Sequence, residues 1–353
     1  MSKAKIKRVW LFNEIPINQK IFLMNMKILF ISPSYLGGIG GHAKRVAEKL
    51  REEGYEVKLM NVPHIPIKKL KNPSFTLFGI LKTMMNREKF DVVHAWNIPS
   101  AFVMKYVNSN KKILSVHGMY SEQIDVLHSN FFGNIANKAE LKAFKISNKL
   151  TTDSKTVQKN YKEKSNVNFI YLPAPLDSKK FEKIKEKKKK ENQIIYIGRN
   201  SYEKGIDILK NSESKINGQI IYCTNFPWEK TMEILKSSKI LVVPSRMESI
   251  PQVIKEAFFL KVPVIATDVG GVSEVVKNGI TGILLPPENP KKLIDAINHL
   301  LENKSLSDKL TKNAFDFITE NFTWNVLLPK YIDLYEKWCH FIFAFNFKFT
   351  NSH

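Results

Sequence analysis

The chain has 353 residues, 43% of them hydrophobic and 25% charged, with 23 Phe, 11 Tyr and 5 Trp: enough for about two domains with cores of their own, and too apolar for disorder throughout. Its two cysteines, Cys223 and Cys339, exclude a disulfide scaffold, and no run approaches the ~18 apolar residues that cross a bilayer. The formal net charge is +22, and residues 1–190 hold 36 Lys and Arg against 15 Asp and Glu while residues 191–353 hold 19 against 18, so an anionic partner is implied for one half only.

Residues 1–25 read as an N-terminal extension. Lys3, Lys5, Lys7 and Arg8 open it, but Asn13, Glu14, Asn18, Gln19 and Lys20 interrupt any signal-peptide apolar core, so a cytoplasmic protein is expected. A buried-strand pattern starts at Met26. Strands are expected at 27–32, 55–62, 91–95, 112–116, 149–152 and 168–172. A helix over 40–53 carries Ala43, Val46, Ala47 and Leu50 on one face. Residues 26–178 thus form a first domain. Residues 179–190 hold eight lysines and two glutamates and read as a solvated linker at the domain boundary. A second strand–helix series fills 191–321, with strands at 194–198, 219–223, 239–243, 262–266 and 282–285 and helices near 229–237, 251–260, 272–277 and 288–302. A closing helix covers 322–338, and 339–353 is an aromatic tail. Strand–helix alternation of this kind predicts parallel sheets covered on both faces.

Four loops carry chemistry. Gly37-Gly38-Ile39-Gly40-Gly41-His42 follows the first strand, where glycines let backbone amides approach an anion at a helix N-terminus. It approximates a dinucleotide fingerprint, yet the second strand ends Leu59-Met60-Asn61-Val62, without the acid that would hold a ribose. A tight turn needing glycine for steric reasons alone is the simpler alternative. Gly198-Arg199-Asn200-Ser201-Tyr202-Glu203-Lys204-Gly205 puts two cations after a strand, both within reach of a diphosphate.

The third loop is the most specific: Pro244-Ser245-Arg246-Met247-Glu248-Ser249-Ile250-Pro251-Gln252-Val253-Ile254-Lys255-Glu256-Ala257. A helix starting at Pro251 leaves Glu248 in the loop and Glu256 facing the same crevice, with free amides at Ser249–Val253. Two carboxylates beside a phosphate site repel it unless they grip hydroxyls, as a ribose or hexose offers. The simpler alternative is two solvated glutamates flanking an ordinary helix. The fourth is Asp268-Val269-Gly270-Gly271-Val272-Ser273-Glu274, followed by Asn278-Gly279-Ile280-Thr281-Gly282. His94 and His117 each follow a strand, where α/β enzymes place working residues, although a structural role fits each equally. There is no Asp-x-Asp and no ligand spacing among the eight His and two Cys.

These residues resemble the retaining, nucleotide-sugar-dependent glycosyltransferases of family 4 (glycosyl transferases group 1). The resemblance runs over nearly all of 26–338. It rests on Glu248 and Glu256 with Pro244-Ser245 before them and Pro263-Val264-Ile265-Ala266-Thr267-Asp268-Val269-Gly270-Gly271 after them, then Glu274, Gly279, Thr281 and Gly282. It implies the GT-B architecture: two Rossmann-like domains facing across a cleft, an N-terminal acceptor side, a C-terminal donor side, and a last helix crossing back. It also implies roles. Glu256 holds the nucleotide ribose, Glu248 with Ser249, Ile250, Pro251, Gln252 and Val253 binds the donor sugar, and Arg199 and Lys204 neutralise the leaving diphosphate. Gly40 and Gly41 close on the phosphates, His117 stands near the transferred sugar, and neither metal nor other cofactor is needed. The departures are His94-Ala95-Trp96-Asn97, the turn Pro173-Ala174-Pro175-Leu176-Asp177, and a short 205–243 segment, which leaves the nucleotide base open.

The expectation is therefore a hexosyltransferase acting from a nucleoside-diphosphate sugar on a hydroxyl acceptor: a glycolipid, a lipid-linked precursor or an envelope polysaccharide precursor. Cation-apolar stretches such as 67–71 and 78–85 predict peripheral attachment to an anionic membrane surface at the cytoplasmic face. The rival is a non-catalytic basic protein binding membrane or nucleic acid on a degenerate GT-B scaffold. No nucleic-acid module is recognisable, so no nucleic-acid partner is expected.

Overall fold

The computed structural model describes residues 26–35, 38–65, 67, 70–120, 130–185 and 187–336, with backbone alone for 130–134. The expected extension 1–25, Gly37, the last two residues of the closing helix and the tail 339–353 lie outside the described residues. The chain divides into two units. The first takes residues up to Thr152, then 167–172 and those from Leu328 onward; the second takes Asp153–Asn166 and Pro173–Leu327.

In the first unit β1 (Lys27–Ile31), α1 (Gly38–Glu52), β2 (Glu56–Met60), α2 (Lys71–Met85), β3 (Phe90–Ala95), α3 (Ile98–Met104), β4 (Ser109–Val116), α4 (Asn130–Ile146) and β5 (Lys149–Thr152) follow one another. Helix α5 (Lys155–Ser165) belongs to the second unit, and β6 (Ile170–Tyr171) returns to the first. The six strands are parallel, in the order β2-β1-β3-β4-β5-β6. Ala43, Val46, Ala47 and Leu50 are all fully buried, as the 3.6-residue period of α1 requires. Asn97 caps α3 by accepting the Ser100 N–H at 2.9 Å.

The second unit runs through β7 (Gln193–Ile197), α6 (Ile206–Ser212), β8 (Gln219–Cys223), α7 (Trp228–Ser237), β9 (Ile240–Val243), α8 (Gln252–Phe259), β10 (Val264–Thr267), α9 (Val272–Val275), β11 (Ile283–Leu285), α10 (Pro290–Glu302), α11 (Lys304–Asn321) and α12 (Trp324–Glu336). Its five strands are also parallel, ordered β11-β10-β9-β7-β8. Alternate strand residues feed two cores. Ile195, Leu241, Val243 and Val264 pack with Ile254, Ala257 and Phe258 of α8, while Ile194, Ile240, Val242 and Ile265 pack with Leu293, Ile297 and Leu300 of α10. Helix α12 spans the division, entering the first unit at Leu328.

The described lysines of segment 179–190 are exposed, as a solvated run requires, but the segment does not stand between the units. It belongs to the second unit, opening as a 3-10 helix (Ser178–Lys183) anchored by buried Phe181 and Ile184. Two apolar anchors among the lysines suffice to pin the run to the unit. The sequence reading also places no helix over 304–321, where α11 buries only Leu310, Thr311, Ala314 and Ile318.

Candidate functional site

The strand order of the second sheet decides where its loops meet. β7 has β8 on one side and β9 on the other. The connections after β7 and β9 therefore leave in different directions, and a crevice opens at their carboxyl ends, the switch point where α/β sheets bind ligands. Loops 198–205 and 244–251 flank that crevice, and loop 268–271 follows β10 beside them.

Glycine makes the loops touch. Gly205 (φ +62°) lies so close to the end of β9 that a Cβ there would stand 1.9 Å from the Pro244 carbonyl oxygen; at Gly270 (φ +56°) it would stand 1.8 Å from that of Glu248. The Gly271 N–H then donates to the Ser249 carbonyl at 2.9 Å, tying loop 268–271 to loop 244–251.

The approach brings Lys204 and Glu248 together. Lys204 Nζ donates to Glu248 Oε1 at 2.5 Å, and Ser245 Oγ donates to the same oxygen at 2.8 Å. The Glu248 side chain is 9% exposed and that of Lys204 24%, so the pair is largely sheltered from water. Arg199 is not drawn into this pair: its guanidinium is exposed and holds Glu203 Oε1 at 2.9 Å. Burial opposes the charge on Glu203, but its own amide, Ser201 and the cations Arg199 and Lys204 outweigh it and keep the carboxyl below its usual range. Tyr196 props the loop from beneath, its hydroxyl donating to the Arg199 carbonyl at 2.8 Å.

Helix α8 begins at Gln252, with Pro251 as its N-cap, one residue later than the expected start. Its first N–H groups have no acceptor within the helix. Ile250 and Pro251 are buried, Gln252 and Val253 half-buried. Gln252 Nε2 donates weakly to the Pro175 carbonyl at 3.4 Å, while its Oε1 is buried without a hydrogen-bond partner. Ser249 Oγ donates to Asp153 Oδ1 at 2.8 Å. Glu256 is half-buried and accepts the Trp228 indole N–H at 2.9 Å, which fixes its carboxylate from α7. Glu274 has a visible structural task, accepting from Ser154 Oγ and from the N–H groups of Lys155 and Thr156 at the start of α5.

Four participants escaped the sequence reading. Arg246 grips Asp207 with two parallel bonds of 2.7 Å, reaches Glu288 and the Tyr202 carbonyl, and lies 4.0 Å from the centre of the Tyr202 ring. It thereby clamps loop 244–251 to loop 198–205 and holds Lys204 against Glu248. It stands inside the motif read above, next to residues given roles. Lys255, also in that motif, is buried, and its ammonium donates to the Ala174 carbonyl at 2.6 Å. Asp153 and Trp228 lie 96 and 28 residues from their partners, so no local pattern announces them.

The first sheet has its own switch point, with β1 between β2 and β3. Gly40 and Gly41 are buried, and they sit in the first turn of α1, which starts at Gly38, rather than in a loop before the helix. Their amides thus belong to the helix N-terminus itself. His117 follows β4 as expected. Its ring lies parallel to Trp96 (6.2 Å, 13°) and edge-on to His42 (5.5 Å, 77°). His94 is different: it lies inside β3, fully buried, bonded through Nδ1 to the Tyr335 hydroxyl and through Nε2 to Ser115 Oγ, both at 2.7 Å. Burial, then the charges of His117 and Lys111, push its pKa well below the ordinary histidine value, so it is a neutral structural group. Among the described residues no group of three His, Cys, Asp or Glu side chains is placed to hold a metal ion.

Two doubly wound parallel α/β sheets, each with glycine-bearing loops at its switch point, are the fold of the GT-B glycosyltransferases. Residues 210–317 match the family described as Glycosyl transferases group 1. An uncharacterized glycosyltransferase of Methanocaldococcus jannaschii is 21% identical over 384 residues, covering 88% of this chain and 98% of that protein. The structure of sucrose-phosphate synthase from Thermosynechococcus elongatus superposes with a TM-score of 0.75 at 17% identity, covering 89% of this chain and 99% of that one. Anabaena HepE in complex with UDP-glucose gives 0.65 at 15% identity, covering 87% and 98%. The chain carries a group 1 glycosyltransferase domain and is a transferase-class enzyme with the GT-B fold.

Proposed function

We propose that the protein transfers a hexosyl unit from a nucleoside-diphosphate sugar to a hydroxyl acceptor, with retention at the anomeric carbon and without a metal ion. The observation that carries this reading is the Lys204–Glu248 pair in the switch-point crevice, formed on the loop that leads into α8. Donor chemistry needs positive charge where the diphosphate departs and hydroxyl acceptors where the sugar sits. Lys204 and the first amides of α8 supply the charge in a partly dry setting, and Arg199 adds to it from the exposed rim. Lys204 and Ser245 converge on Oε1 of Glu248, leaving Oε2 to accept from a sugar hydroxyl. Glu256, steadied by Trp228, accepts from the ribose. Binding of UDP-glucose by HepE supports a nucleotide-sugar donor. For Gly40 and Gly41, in the first turn of α1, we carry over from the resemblance a phosphate-binding role, and for His117 a role toward the transferred sugar.

A lipid-linked or polysaccharide-precursor acceptor at an anionic membrane surface fits α2. Leu77, Phe78, Leu81, Met84 and Met85 are all exposed, and their spacing puts them on one helix face with Lys71 and Lys82 on the same helix. Among the described residues no helix is long and apolar enough to span a membrane, so attachment would be peripheral. The test is transfer from a panel of UDP-, GDP- and ADP-sugars to isolated membrane lipids, read by mass spectrometry with and without EDTA. Wild type turns over in EDTA, and Lys204→Ala and Glu256→Ala each lose transfer while remaining folded. Normal turnover in either variant removes its site assignment.

A further inference from the structure

The lysine-rich segment 179–190 has no part in the donor chemistry, yet the fold puts it to use. Its 3-10 helix, with Lys187 and Lys189 beyond it, forms one wall of a groove of about 780 Å³ in the second unit, whose other walls are the ends of α7, α8 and α11 and the start of α12. No residue of the donor crevice lines it. Four of the twelve lining residues are lysines, Lys187, Lys189, Lys236 and Lys261, against one carboxylate, Glu182. The rest combine an apolar floor (Phe181, Phe259, Leu260) with four hydroxyl and amide side chains.

The cations are held, not loose. The Lys190 backbone N–H ties the segment to the Ser237 carbonyl at 2.9 Å; of the ammonium groups, Lys189 Nζ donates to the Lys261 carbonyl at 3.1 Å, Lys187 lies 3.6 Å from Glu233 and Lys261 lies over the Phe315 ring. Each such ammonium has three donors, so one internal partner leaves capacity for a ligand. Burial and the neighbouring Lys239 push the Lys189 amine below the usual lysine range, with Asp308 opposing them. Ammonium groups crowded in this way gain from an anion between them.

We propose that this groove binds an anionic saccharide, its carboxylate or phosphate groups on the lysine rim and its ring faces over the Phe259–Leu260 floor. Hydroxyl and amide side chains between cations and an apolar floor fit a polyhydroxylated anion better than a bare polyanion. The groove also touches the donor side: the Phe181 ring is edge-on to Trp228 (5.2 Å, 74°), whose indole holds Glu256. Occupancy of the groove is therefore read at the ribose carboxylate as a change in donor affinity. The choice of a saccharide rests on the glycosyltransferase reading, whereas the groove itself does not.

The test is calorimetric titration of the full chain with oligogalacturonate, a phosphorylated oligosaccharide, neutral malto-oligosaccharide and inorganic polyphosphate, for wild type and the Lys187→Gln/Lys236→Gln double variant. UDP-glucose binding is measured on the same samples. At least one anionic saccharide binds, the neutral one does not, and the double variant weakens binding about tenfold, the size of two partly exposed ion contacts. The two anionic arms then tell carboxylate from phosphate. Equal binding by the double variant, or binding of polyphosphate as tight as that of both saccharides, overturns the proposal, as does no saccharide binding at all. UDP-glucose binding with an empty groove refutes the groove alone; loss of UDP-glucose binding by wild type tells against the donor reading instead.

Discussion

Gly270→Ala tests whether loop contact, rather than the ion pair alone, positions Glu248. Two penalties follow from the structure. A Cβ at φ +56° meets left-handed strain of about 1–2 kcal/mol. The same Cβ would also stand 1.8 Å from the Glu248 carbonyl oxygen, so loop 244–251 must retreat by roughly 1.5 Å to reach ordinary contact, at a packing cost of about 1–3 kcal/mol. Gly279→Ala is the matched control, because Gly279 has φ +69° but nothing within 4 Å of its virtual Cβ. The difference between the variants isolates the collision. At about 3 °C per kcal/mol for a domain of this size, Gly270→Ala lowers Tm by ~10 °C and Gly279→Ala by ~4 °C. Displacing a positioned group by about 1 Å costs on the order of 100-fold in rate, so kcat/KM for transfer falls at least that far in Gly270→Ala. Gly279→Ala keeps activity within about threefold. Melting curves and UDP release under initial-rate conditions give both quantities. Equal loss of stability and activity in the two variants would falsify the claim that this close approach places Glu248.

Three further outcomes follow from other contacts. Trp228→Phe keeps the ring against Phe181 but removes the indole donor to Glu256, and KM for the nucleotide sugar rises about tenfold or more with a smaller change in kcat; an unchanged KM would separate Glu256 from donor binding. Arg246→Met removes the guanidinium that, ahead of all other causes, holds the Asp207 carboxyl below its ordinary value. A depressed carboxyl pKa stabilises the fold above the unfolded value and loses that contribution as pH falls through the folded one. The stability gap between wild type and the variant is therefore full near pH 6 and narrows below about pH 4, as urea unfolding at several pH values will show. His94, neutral through burial and the charges of His117 and Lys111, gives a third pH signature. Its depressed pKa means the unfolded chain takes up a proton first, so wild type loses stability as pH drops below about 6.5. His94→Gln flattens that slope, and an equally steep slope in the variant would place its source elsewhere.

The elements near the two switch points were legible because their signals are local. A five-residue apolar strand, glycines after it and the 3.6-residue period of α1 or α8 all lie within a dozen residues, and the strands of both sheets fall within a few residues of where these patterns put them. Where the pattern is thin, as in α11 with four buried residues among its 18, the helix could not be read. Glu248, Lys204 and Glu256 could be singled out from motif and chemistry, because a strand-end loop is a small set of positions.

Their partners could not be read in the same way. Lys204 meets Glu248 across 44 residues, Trp228 meets Glu256 across 28, and Ser249 meets Asp153 across 96. Each pairing depends on which strands lie side by side and on glycines that let two backbones approach, and neither is encoded in spacing. The same reason moved His94 from a strand-end candidate to a buried structural group, since only the packed sheet brings Tyr335 and Ser115 to its two nitrogens. It also turned the lysine run from an expected linker into the wall of a groove, because Phe181 and Ile184 find a core to enter. By itself the sequence determined two α/β units, a strongly basic first half and the glycine-rich loops that follow the strands. The tertiary structure decided which charges meet, because in a parallel sheet that follows from strand order and not from distance along the chain.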